Sequence, residues 1–133
     1  MKRLICWAIV LVMLLTALPA MADNTRTSGL YTYEIKGNGT ITITSFDWKT
    51  NGNADIYIPN MIDGYTVTAI GDEAFKCERR REGKCSLTLP DTITAIGKKA
   101  FWKASLSRIN LPDNLQNIGY GAFVGNNCEF VIS

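Results

Sequence analysis

The 133-residue chain has no histidine. The usual general base near neutral pH and the commonest metal ligand are therefore missing, and with them any Ser-His-Asp or Cys-His nucleophile and any zincin-type site. Charge of one sign is not in excess either. Fourteen Lys and Arg face twelve Asp and Glu, and the surplus is accounted for by Lys2 and Arg3. A nucleic-acid binder needs a concentrated positive field to displace counterions from phosphates, so the near-neutral remainder argues against that class. No glycine-rich phosphate loop follows a strand pattern, and no cofactor site or metal-ligand spacing is present; Cys77 and Cys85 alone are too few for zinc. These absences point away from an enzyme.

One long apolar run exists, Leu4 to Leu18. Its 15 residues fall short of the roughly 20 that a spanning helix needs. Lys2 and Arg3 precede it, Pro19 ends it, and Ala20-Met21-Ala22 has the small-x-small form of a secretory cleavage site. Residues 1–22 are thus expected to be a signal peptide cleaved after Ala22, leaving no membrane span and a product that is secreted, periplasmic or on the cell surface. Four cysteines are present; Cys6 lies in the apolar run, and export makes Cys77, Cys85 and Cys128 disulfide candidates before metal ligands.

Only four prolines occur, and three of them close a repeated triplet: Ile56-Tyr57-Ile58-Pro59, Leu87-Thr88-Leu89-Pro90 and Ile109-Asn110-Leu111-Pro112. Downstream of each, Ile70-Gly71-Asp72-Glu73-Ala74-Phe75 aligns with Ile96-Gly97-Lys98-Lys99-Ala100-Phe101 and with Ile118-Gly119-Tyr120-Gly121-Ala122-Phe123. Phe130-Val131-Ile132 begins a fourth unit. Spacing in the twenties is the signature of a solenoid. The triplets have strand period, so their outer members point inward and Tyr57, Thr88 and Asn110 form one outward row. Proline ends each strand because it lacks the N–H a ladder requires. Gly71, Gly97 and Gly119 are expected to take a backbone conformation closed to residues with a Cβ. Ala74, Ala100 and Ala122 sit where coils approach closely, and Phe75, Phe101 and Phe123 plug the core. Asp72-Glu73 and Lys98-Lys99 share columns in adjacent coils and are expected to form ion pairs.

This pattern resembles the BspA-like leucine-rich-repeat proteins. The resemblance covers roughly residues 31 to 132, including Ile58-Pro59 through Ile70-Gly71, which is similar to the segment that opens the array in many members. It implies an α/β repeat solenoid dominated by β-structure, with short helical turns at the corners. It also implies an exported or surface-attached protein, since some members are implicated in binding host proteins or other cells.

Ahead of the repeats, Tyr31 to Ile35 and Thr40 to Thr44 alternate around Lys36-Gly37-Asn38-Gly39, a β-hairpin signal. Residues 31–55 are therefore expected to cap the first coil, with 23–30 a flexible leader and 56–133 the three repeats plus the start of a fourth. Asn38-Gly39-Thr40 fits a glycosylation acceptor, but an ordinary turn is favoured.

Between Phe75 and Leu87 an insertion carries five basic and two acidic residues in the ten from Lys76 to Cys85. Arg79, Arg80 and Arg81 are candidate contacts for an acidic partner, or a solvated loop. Trp102 either stands on the surface beside them or tucks beneath the insertion. Cys77 and Cys85 flank this loop and are expected to pair. Aligned strands put Cys85 and Cys128 two coils apart, about 9.5 Å at roughly 4.8 Å per strand step, beyond the ~7 Å that a disulfide spans.

The expected function is an exported, non-enzymatic binding module of adhesion type, presenting its solenoid surface to a protein or glycan. The alternative is a structural fragment of a longer surface protein, acting as a spacer. The final strand, apolar and with a free edge, is expected to support end-to-end self-association.

Overall fold

The structure, a computed structural model, describes residues 23–78 and 84–132. The expected signal peptide, residues 1–22, and Arg79, Arg80 and Arg81 lie outside the described residues. In chain order the first elements are strands β1 (Thr25–Ser28), β2 (Tyr31–Ile35) and β3 (Thr40–Phe46) and the helix α1 (Trp48–Asn51). Next come β4 (Ile56–Tyr57), β5 (Met61–Ile62), β6 (Tyr65–Ile70) and β7 (Cys85–Thr88), followed by β8 (Ala95–Ile96), β9 (Leu106–Leu111), β10 (Asn117–Ile118) and β11 (Glu129–Ile132).

The two strands of each repeat go to different sheets. One sheet runs β1-β2-β3-β6-β8-β10, with β5 added beside β6; the other runs β11-β9-β7-β4. Within the repeats all pairings between coils are parallel, β6 with β8, β8 with β10, β4 with β7, β7 with β9 and β9 with β11. This is a solenoid of about four turns with almost no helix. The Gly-x-x-Ala-Phe corners are hydrogen-bonded turns, not helical segments.

The inward members of both strand sets meet between the sheets. Ile41, Ile43, Val67, Ile70, Ile93 and Ile96 face Ile56, Leu87 and Ile109, all buried, with Phe75 and Phe101 filling the corner side. Burying a side chain of this size contributes roughly 1.5–3 kcal/mol. Among the described residues no polar or charged side chain enters this core.

Strand β3 does more than cap. It pairs parallel with β6, Ile41 opposite Val67 and Ile43 opposite Ile70, as one coil pairs with the next, and antiparallel with β2 on its other side. Its last residue, Phe46, stacks on Phe75 and so extends the phenylalanine column by one position. The turn at Asn38 is an Asx turn, in which the Asn38 side-chain oxygen accepts the Thr40 backbone N–H at 3.3 Å and also the Thr40 hydroxyl at 2.6 Å.

The three repeat glycines do not have the expected backbone conformation. None has positive φ. The cause of glycine there is close approach of the preceding coil: a Cβ on Gly97 would lie 2.6 Å from backbone atoms of Gly71 and Asp72, and one on Gly119 would meet the Lys98 backbone nitrogen. The left-handed position falls two residues later, at Glu73 (φ 56°), Lys99 (φ 52°) and Gly121 (φ 66°).

The expected ion pairs across Asp72-Glu73 and Lys98-Lys99 are not formed. Asp72 instead accepts the backbone N–H of Lys98 at 2.7 Å, and Glu73 pairs with Lys76 at 3.5 Å within its own coil. A backbone donor with no rotamer to fix holds the carboxylate at lower entropic cost than a long ammonium chain.

Candidate binding face

The candidate face is built by strand register. Tyr57 is opposite Thr88, Thr88 opposite Asn110, and Asn110 opposite Val131. The alternation that sends Ile56, Leu87 and Ile109 inward makes these four an outward row across four parallel strands. Tyr57 is 69% exposed, and its backbone carbonyl accepts the Tyr31 hydroxyl at 2.9 Å. That bond ties the first strand of the face to the N-terminal hairpin.

Around the row lies a shallow groove of ≈ 450 Å³, lined by Tyr57, Ser86, Leu87, Thr88, Arg108, Asn110 and Val131. Ser86 and Arg108 are additions to the expected row. Each sits two residues before a row member, so strand alternation alone puts them on the same face. A register shift between Cys85 and Ser86 sets Ser86 opposite Arg108 instead of Ser107. Bulges of this kind leave no mark in the repeat pattern.

Polar groups on this face differ in how far they are committed. At the rim, Asp55 accepts the Ser86 backbone N–H at 2.7 Å, which holds its carboxyl below the ordinary value. Arg108 is exposed and takes part in no ion pair among the described residues. The Asn110 carboxamide oxygen is shielded from solvent and has no hydrogen-bond partner among them. Hydroxyl, amide and guanidinium groups in one row can hold a polar ligand.

Trp102 is placed elsewhere, on the corner side, and does not line the groove. Its half-buried ring is covered by two ammonium groups, Lys103 Nζ at 4.2 Å and Lys76 Nζ at 5.4 Å from the centroid. Lys76 also bonds Glu78, chiefly which raises its pKa. The residues that would complete the basic patch, Arg79 to Arg81, lie outside the described residues. Cys77 and Cys85 are both buried beside that segment, and no disulfide joins them in this structure. Cys128 is half-buried on the last coil, where desolvation pushes its thiol pKa up.

Among the described residues no helix is long and apolar enough to cross a membrane, and no group of three or more candidate metal ligands converges. The family model of the BspA type leucine rich repeat region matches residues 39–132 in six copies. The chain belongs to that family. The match begins one residue before β3, in agreement with the pairing of β3 as a coil of the array.

Three solved structures are similar over most of the chain. A leucine rich cell surface protein from Faecalibacterium prausnitzii superposes with a TM-score of 0.64 at 28% identity, covering 80% of this chain and 30% of that one. A leucine-rich repeat protein from Bacteroides capillosus gives 0.60 at 26% identity, covering 84% of this chain and 99% of its own. One from Bacteroides ovatus gives 0.58 at 25%, covering 79% and 33%. This chain thus spans about a third of the length of two of these proteins. No curated protein matches the sequence.

Proposed function

We propose that this is an exported, non-enzymatic binding module that holds a protein or glycan at the cell surface through the outer face of its four-stranded sheet. The observation that carries the reading is the registered row Tyr57, Thr88, Asn110 and Val131 with its groove. Rigid strands fix these side chains at constant spacing, so little ordering entropy is lost on binding. The signal-peptide pattern in residues 1–22 and the likeness to a cell surface protein support export.

The test is an array of extracellular-matrix proteins and surface glycans probed with residues 23–133. Binding that disappears in a Tyr57→Ala, Thr88→Ala, Asn110→Ala variant of unchanged melting temperature supports the face. Binding that survives in that variant contradicts it.

A second reading, a spacer or end-to-end assembly, is favoured by a different surface. Ile118, Tyr120, Val124, Phe130 and Ile132 are all exposed at the last described coil, beside the outer edges of β10 and β11. Light scattering of residues 23–133 under oxidising and reducing conditions tests it; a monodisperse monomer in both contradicts self-association.

A further inference from the structure

We infer that the ligand held on the outer sheet face is an acidic oligosaccharide, bound across the strands with its anionic group on Arg108. The inference rests on the binding face proposed above and adds the chemical class of what it takes.

Shape comes first. The row crosses three strand steps of about 4.8 Å each, roughly 14 Å in all. A saccharide chain laid across the strands meets a new side chain at each step, with successive rings near successive coils. The groove has little for a peptide. Among its lining residues Leu87 is turned into the core, so among the described residues the groove offers little to the large apolar anchors that dominate protein contacts. At the edge of β4 the Tyr57 carbonyl already accepts the Tyr31 hydroxyl, which leaves one fewer open acceptor for an added peptide strand.

Chemistry comes second. Tyr57 offers a largely exposed ring against which the apolar face of a pyranose stacks. Thr88 carries a hydroxyl at the groove, and the Asn110 carboxamide lines it one strand further on. These are donors and acceptors suited to sugar hydroxyls. Charge decides the class. Among the described residues Arg108 is the only charged one lining the groove, and it forms no ion pair with any of them. The carboxylates beside it leave its fork unpaired: Asp55 accepts the Ser86 N–H, and Glu129, opposite Arg108 in register, forms no ion pair with it and only weakens its field. A guanidinium fork left open beside hydroxyls and an aromatic ring matches a carboxylate or sulfate on a sugar.

The experiment is titration of residues 23–133 with three oligosaccharides of equal length: a sulfated one, a polyuronate and a neutral glucan. One or both acidic probes are expected to bind at least tenfold more tightly than the neutral one, and the pair separates sulfate from carboxylate as the source of the charge. Arg108→Ala is expected to weaken the acidic probe ten- to hundredfold, and Glu129→Gln to tighten it. Both positions are exposed, so the melting temperature serves as a control for folding. Equal binding of acidic and neutral probes overturns the inference. So does acidic binding that is lost in an Arg79→Ala, Arg80→Ala, Arg81→Ala variant but kept in Arg108→Ala. Failure of all three sugars overturns it too, and the proposed face itself then stands or falls on whether the triple row variant loses a protein found on the array.

Discussion

Phe46, the last residue of β3, stacks on Phe75 with ring centroids 4.7 Å apart and planes 25° apart. Phe75 repeats the relationship with Phe101 at 4.9 Å, and Phe101 with Phe123 at 5.4 Å. The hairpin therefore supplies the first member of a column that the repeats continue. Trp48 of α1 closes the stack from outside, edge-on to Phe46 at 4.9 Å.

Phe46→Ala should accordingly behave as a core-repeat mutation and not as a cap trim. Deleting a buried phenylalanine costs about 3–5 kcal/mol, and Phe46 is 6% exposed. Urea unfolding should give losses of the same order for Phe46→Ala and Phe101→Ala. A loss under about 1 kcal/mol at Phe46 would show that the hairpin is an appendage.

The solenoid was legible in the sequence because its causes are local and repeated. Inward Leu87 and Ile109, strand-ending Pro90 and Pro112, and corner Phe101 all recur in columns. What escaped lacks that property. Phe46 follows Thr44-Ser45, without the Gly-x-x-Ala that marks other members of its column. The reason for Gly97 is the approach of Gly71 and Asp72 from the previous coil, a contact that a single coil's pattern does not reveal. The pairing of Ser86 with Arg108 follows a register shift after Cys85 that the repeat pattern does not mark. The carboxylate of Asp72 selected a backbone N–H because the coils stack closely enough to present one.

The left-handed column gives a prediction of opposite signs. Lys99 has φ 52° where the next coil has Gly121 at φ 66°. Glycine adopts this region without the Cβ penalty. Lys99→Gly should raise stability by up to about 1 kcal/mol, whereas Gly97→Ala, with ordinary φ but no room for a Cβ, should lower it. Thermal unfolding checks both; stabilisation by Gly97→Ala would contradict the close approach between coils.

Tyr33 should make the fold sensitive to alkali. Its ring is buried, and its hydroxyl donates to Asp63 at 2.7 Å. That hydrogen bond, with burial, pushes its pKa from 10.0 to about 12. The folded state then holds the proton more tightly than the unfolded chain. The contribution is complete below pH 10 and is lost as pH rises toward 12. Unfolding free energy should fall across that window, and Tyr33→Phe should flatten the fall while lowering stability at pH 7.

Cys77 and Cys85 flank the inserted segment, and their pairing is a proposal for the oxidised, exported protein. Peptide mapping after air oxidation should find a Cys77–Cys85 link and no Cys85–Cys128 link. A Cys85–Cys128 bond would contradict the column alignment, in which those residues stand two coils apart.

Tyr57 and Tyr120 are the two most exposed tyrosines among the described residues, 69% and 81% accessible. One stands on the sheet face and the other at the last described coil. Hydroxyl-radical footprinting of residues 23–133, with and without the ligand that binds on the array, reads both in one experiment. The proposed face predicts that Tyr57 is protected while Tyr120 keeps its free reactivity. Protection of Tyr120 with Tyr57 still fully reactive would contradict the binding face and place recognition at the end of the solenoid.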